Sequence, residues 1–172
     1  MSAETTRDLP QASSLPKVRA FVAAVAAGKN ESVQKAGMAS GLSKRHAGYY
    51  GIAAIVTLGL VEEAGRLRVT KLGAELLATP TGSLAERDVF RRAITDSVSI
   101  TSIAHDLLAP EGPTAEALAH RLLHAGLSEA TAKRRASTLL TWRRYVLERQ
   151  AQLPMPLAKV VPLTSEDRKQ AK

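Results

Sequence analysis

Apolar residues recur at spacings of three and four over most of the chain, and the interruptions divide it into elements. From Leu15-Pro16 the run Val18, Phe21, Val22, Val25 and Ala26 has the period of a helix with one buried face. Pro16 suits its first turn, and Gly28 ends it. A second short helix is predicted from Ser32 to about Ala39. The turn Gly41-Leu42-Ser43 follows, its serine placed to cap a third helix over Lys44 to Leu58, and Gly59 stops that helix. The period then changes. In Leu60 to Glu63 and Arg66 to Thr70, arginines alternate with Leu67 and Val69, which predicts two short strands around Ala64-Gly65. Helical spacing resumes over Lys71 to Ala78.

The breaker Thr79-Pro80-Thr81-Gly82-Ser83 precedes a second block. Its pattern predicts helices at 85–94, 97–108, 115–125 and 129–147, with a loop over Ala109 to Pro113. Gly126-Leu127-Ser128 repeats Gly41-Leu42-Ser43 at an offset of 85 residues. The register continues beyond the turn, pairing Ala47 with Ala132, Gly51 with Ala136, Ala54 with Leu139, Ile55 with Leu140 and Val61 with Val146. These are positions a helix would bury, so a structural duplication is expected. The organisation read from this is a loosely held N-terminus, 1–14, a first module, 15–80, a second module, 84–150, and a loosely held proline-containing tail, 151–172. Within the tail, Leu157 to Val161 has the apolar run of a short strand.

Leu58-Gly59-Leu60-Val61-Glu62, then Gly65-Arg66-Leu67-Arg68-Val69-Thr70 and Leu72-Gly73-Ala74-Glu75-Leu76-Leu77, resemble the end of the recognition helix, the wing and the following helix of bacterial winged-helix (helix-turn-helix) DNA-binding domains. The resemblance covers about residues 15 to 78 and implies that fold and a DNA-binding habit. In the second block Leu127-Ser128, Thr131-Ala132, Arg134-Arg135-Ala136 and Thr138-Leu139, closing on Trp142 and Tyr145, resemble the C-terminal part of accessory DNA-binding modules beside nuclease or ATPase domains in bacterial restriction and defence proteins. The nuclease of those proteins has no counterpart here. The fold class expected is therefore mainly α: two tandem winged-helix modules, with a short β-ribbon wing in the first.

Charge sharpens this picture. The 172 residues carry a formal net charge of +8, with 45% hydrophobic residues, 3% aromatics and no cysteine. The positive balance selects polyanionic partners, and the lack of cysteine excludes disulfides, thiolate nucleophiles and cysteine-rich zinc sites. No apolar run reaches membrane-spanning length, and residues 1–16 lack the apolar core of a signal peptide, so a cytoplasmic, nucleoid-associated protein is expected.

Projected at helical pitch, Lys44, Arg45, His46 and Tyr49 lie opposite the buried face of the third helix, together with Ile52 and Val56. A basic first turn suits a helix entering the major groove of double-stranded DNA. On the helix over 129–147 the corresponding side offers Arg134, Ser137, Thr138 and Thr141, with Lys133 and Arg144 at its edge. Arg135 and Arg143 fall nearer the core, and Trp142 and Tyr145 are read as anchors. Arg45, Tyr49, Arg134 and Thr138 are expected on base edges; Lys44, Lys133 and the ribbon's Arg66 and Arg68 on phosphates, with Lys71 nearby. Two modules in one chain would then read adjacent half-sites.

Ile52 and Val56 call for a cover, whether the second module, a twin subunit or, for Ile52, thymine methyls. The alternative for the whole chain is a protein-interaction adaptor that docks through these residues and Trp142. RNA is a weaker partner, because the aromatic motifs of single-strand readers are missing. His120 and His124 have metal-sharing spacing but no third ligand nearby, and Asp106, Glu111 and Glu116 read as caps. No phosphate loop, nucleophilic serine or nuclease carboxylate motif is present, so neither an enzyme nor a cofactor is expected.

Overall fold

Serine and threonine set most of the helix starts. In the computed structural model, which describes residues 8–148, the side chains of Ser14, Ser32, Ser43, Thr70, Ser83 and Thr114 each accept a hydrogen bond from the backbone N–H three residues on. Each satisfies a donor that a helix leaves orphaned in its first turn. The elements that follow are α1 (Leu15–Ala26), α2 (Val33–Ala39), α3 (Lys44–Ile52), β1 (Val61–Ala64), β2 (Arg66–Val69), α4 (Lys71–Ala78), α5 (Leu84–Asp96), α6 (Val98–Ala104), α7 (Ala115–His124) and α8 (Glu129–Leu147). The described chain is thus mainly helical, with one antiparallel two-stranded ribbon. No helix in it is long and apolar enough to cross a membrane.

The two Gly-Leu-Ser turns share a geometry. Gly41 has φ 79° and Gly126 φ 92°, the left-handed region that favours glycine. Gly41 N–H donates to Met38 O and Leu42 N–H to Gly37 O; Gly126 N–H donates to Leu123 O and Leu127 N–H to Leu122 O. Both are Schellman closures, the bond pattern that satisfies the last carbonyls of a helix. The end of α1 closes the same way, through Gly28 and Lys29 onto Val25 and Ala24, so the turn alone does not define a repeat.

The burial register is the stronger sign. Ala47 and Ala132, Gly51 and Ala136, and Ala54 and Leu139 are all buried, while Ile55 and Leu140 are both half-buried. The correspondence ends there. The predicted third helix does not run straight to Leu58: after Ile52 it widens into a π-helical turn, Ala53–Thr57, whereas α8 stays α-helical to Leu147. Val61 therefore lies on a strand and Val146 on a helix. Helix α2 crosses α3 at Gly37, where a Cβ would collide with Ala47. Its counterpart in α7 is the buried Leu122, so the second helix pair lacks this glycine contact.

In the ribbon Val61 pairs with Val69, Glu62 with Arg68 and Ala64 with Arg66. Leu67 is buried and both arginines are exposed, as the alternation predicts. No second ribbon is described. The tail over 151–172, with Leu157 to Val161, lies outside the described residues.

One cluster of buried side chains runs from Leu9 to Val146 through both sequence blocks, so the boundary at 80–84 separates two patterns but not two cores. The junction is a buried carboxylate. Glu86 is fully buried, accepts from the Gly82 N–H at 3.0 Å and from the Tyr145 hydroxyl of α8, and forms an ion pair with Arg19 of α1 at 3.1 Å. Arg19 also donates to Leu76 O at 2.6 Å and Thr79 O at 2.8 Å, fastening the end of α4.

Part of the expected loose N-terminus is also built in. Leu9 and Ala12 are buried, Thr57 Oγ1 donates to Asp8 O at 2.7 Å, and Trp142 Nε1 donates to Ala12 O at 2.7 Å. Residues 8–14 thus form an arm clamped between the two blocks. Residues 1–7 lie outside the described part.

Asp106 is an ion-pair partner and not the cap expected. Arg121 of α7 holds both its oxygens, at 2.5 and 2.8 Å. Those bonds, ahead of the nearby charges, lower the carboxyl from 3.8 to about 2. A depressed carboxyl stabilises the fold above its unfolded pKa and loses that contribution as pH falls toward its folded one. Urea midpoints are expected to drop as pH falls from about 4 to about 2, and Asp106→Asn to flatten that segment. An unchanged acid limb in the variant would show that the pair is solvent-screened.

Candidate nucleic-acid interface

The N-terminal parts of α3 and α8 line one cleft. Ser43 caps α3, and its hydroxyl also meets His46 Nδ1 at 2.8 Å; the His46 ring stands edge-on to Tyr49, with centroids 6.2 Å apart. Arg45, His46 and Tyr49 form one wall of a cleft of about 660 Å³. Thr131, Arg134, Ser137 and Thr138 of α8 form the opposite wall. Gln11 and Ser13 of the arm, Lys17 of α1 and the Gly41-Leu42-Ser43 turn also line it, and no lining residue is a carboxylate.

The cleft brings together Arg45, His46, Tyr49, Arg134, Ser137 and Thr138 from the predicted set. Lys44, Arg66, Arg68, Lys133, Thr141 and Arg144 are not among its lining residues. Helix α8 divides its polar side: Lys133, Ser137, Thr141 and Arg144 border a shallower hollow against α7, lined also by Ala115, Glu116 and Ala119. Ser137 alone of the predicted set touches both. Lys133 is paired with Glu129 at 2.6 Å on an exposed surface, and that bond, then Glu129's charge, raises its pKa. Such a solvated pair holds little energy and leaves the lysine available to another anion.

Two expectations need correction. Thr138 is buried and its hydroxyl donates to Arg134 O at 3.1 Å. It lies at the base of the cleft with its proton committed to the helix backbone, so it does not project toward base edges. Thr141 donates likewise to Ser137 O at 2.8 Å. Leu140, expected among the buried positions of α8, is only half-buried, while Arg135 and the anchor Trp142 are buried.

Arg135 was legible only as a residue near the core. It is 7% exposed, donates through one terminal nitrogen to Leu9 O, lines the cleft, and has an Nε without a partner. Arg143 is structural: it donates to Ala109 O at 3.0 Å and Pro110 O at 2.9 Å, holding the loop before α7. The arm residues Gln11 and Ser13 were missed because that segment reads as polar. Its available signal is the i, i+3, i+6 spacing of Leu9, Ala12 and Leu15, all buried.

Ile52 and Val56 are 38% and 50% exposed, so the second block does not cover them. His120 and His124 face each other with Nε2 atoms 3.2 Å apart. Among the described residues, no group of three or more candidate metal ligands occurs. Comparison with protein-family models, curated proteins and solved structures yields no match.

Proposed function

We propose that this chain binds double-stranded DNA with sequence selectivity, using α3 and α8 as the DNA-facing helices of two winged-helix-type modules. It serves as a transcriptional regulator or as the DNA-targeting subunit of a defence system. The observation that carries this reading is the carboxylate-free, cationic cleft on which the first turns of both helices converge. Phosphates are drawn to such a surface, and counterion release makes the attraction salt-dependent. Arg45 and Arg134 are exposed and suited to bidentate contact with guanine. Arg66 and Arg68 reach backbone phosphates from the ribbon, with the field at Arg68 weakened by Glu62 opposite it. Convergence favours one composite site over two separate half-sites.

A gel-shift titration with selected and random duplexes tests this. Arg134→Ala is expected to weaken binding by about 1–3 kcal/mol and affinity to fall steeply with salt. Equal, tight binding to random duplexes would remove sequence selectivity, and no binding at low salt would end the DNA reading. The exposure of Ile52 and Val56 favours the second reading, a docking adaptor. A partner that co-purifies with a protein lacking DNA affinity would establish that instead.

A further inference from the structure

Two charged side chains are buried among the described residues, Glu86 and Arg135, and their surroundings differ. Glu86 meets a guanidinium, a hydroxyl and a backbone N–H. Arg135 meets one carbonyl and no carboxylate, and its Nε is unsatisfied. Burial, then repulsion from Arg134, lowers its pKa, so the folded chain holds this cation at a cost. A charge in that position is compensated when an anion enters the cleft it lines.

We propose that the cleft between α3 and α8 is a phosphate-binding site, with Arg135 as its innermost donor, Arg45 and Arg134 closing on the phosphate from either wall, and Tyr49 beside it. Three arginines from two helices line the cleft with no acid among its lining residues, a composition that favours phosphate oxygens. The volume of about 660 Å³ admits a nucleotide-sized group, and an aromatic wall offers a face for a base. The phosphate has two sources, the backbone of a duplex or a free nucleotide. The site stands on the buried guanidinium and the cleft, and holds whether or not the chain reads DNA.

The test titrates the full chain with ADP by calorimetry and with a short duplex by fluorescence anisotropy at low salt, then repeats both with Ser137→Glu, Arg135→Lys and Arg91→Ala. Ser137 is exposed on the cleft wall, so the new carboxylate opposes a phosphate without entering the core. Ser137→Glu and Arg135→Lys are each expected to weaken binding by about ten- to a hundredfold, with Arg91→Ala, an exposed arginine of α5 that does not line the cleft, leaving ADP binding unchanged. Circular dichroism confirms that each variant is folded; should Arg135→Lys unfold, Ser137→Glu decides alone.

ADP that binds and displaces the duplex supports a free nucleotide as ligand. Duplex binding alone, lost in Ser137→Glu, supports the backbone as source. ADP binding without duplex binding keeps the site and overturns the DNA reading. Duplex binding indifferent to Ser137→Glu overturns the site and keeps the DNA reading. Neither probe binding overturns both.

Discussion

Trp142→Ala is expected to lower the unfolding free energy by about 3–5 kcal/mol, the range for emptying a fully buried large aromatic side chain. The indole is completely buried, and its Nε1–H satisfies the buried Ala12 carbonyl at 2.7 Å. Truncation therefore opens a cavity and strands an acceptor as well. Trp142→Phe separates the two effects. It keeps most of the ring volume and removes the donor, so it is expected to cost about 1–3 kcal/mol. Urea denaturation gives both values. Equal losses in the two variants would mean that the hydrogen bond outweighs the packing. Limited proteolysis with subtilisin gives the local consequence: residues 8–14 should be cut faster in both variants, because the Trp142 bond to Ala12 O is one of the arm's few anchors. The arm also floors the cleft, so its release should weaken phosphate binding without any change to Arg45 or Arg134.

Local chemistry explains what could be read from the chain. Each helix start that carries a serine or threonine cap was visible, because capping is decided within four residues. The ribbon was visible for the same reason: the alternation of Arg66, Leu67, Arg68 and Val69 needs only its own period, and Leu67 is buried while the arginines are exposed. The shared burial register was legible at Ala47 and Ala132, and the two helices part where α3 becomes a π-helical turn at Ala53. A widened turn leaves no mark on apolar spacing.

The long-range assembly was not legible in this way. Helical projection gives each helix an outer side but not the direction in which two such sides point. The cationic sides of α3 and α8 were read as facing separate DNA half-sites, and they share one cleft. The same projection put Thr138 on the outside, whereas it is buried at the base of the cleft. Arg135 shows the general limit. A cation on the inner side of a helix reads as a stem that snorkels outward, and only the arm laid across it makes the site buried and unbalanced.

Glu86→Ala is the second change expected to be severe, about 3–5 kcal/mol, because it leaves a buried ion pair with one member. Arg19 would keep its bonds to Leu76 O and Thr79 O but lose the carboxylate that balances its charge. The Gly82 N–H and the Tyr145 hydroxyl would lose an acceptor together. Restoring neutrality should recover part of the loss: Arg19→Met added to Glu86→Ala is expected to cost less than the two single changes combined. Strict additivity in that cycle would show that the network acts as separate bonds. Tyr145 supplies a second readout. Burial, and then the bond to Glu86, pushes its phenol above the ordinary value of 10.0, so in the native protein it stays protonated past that pH. A raised phenol stabilises the fold below its unfolded pKa, and that contribution declines as pH climbs past about 10. Removing Glu86 takes away the carboxylate's share of the shift and leaves the part due to burial. Ultraviolet titration should therefore show a late-ionising phenol in the native chain that ionises earlier in Glu86→Ala.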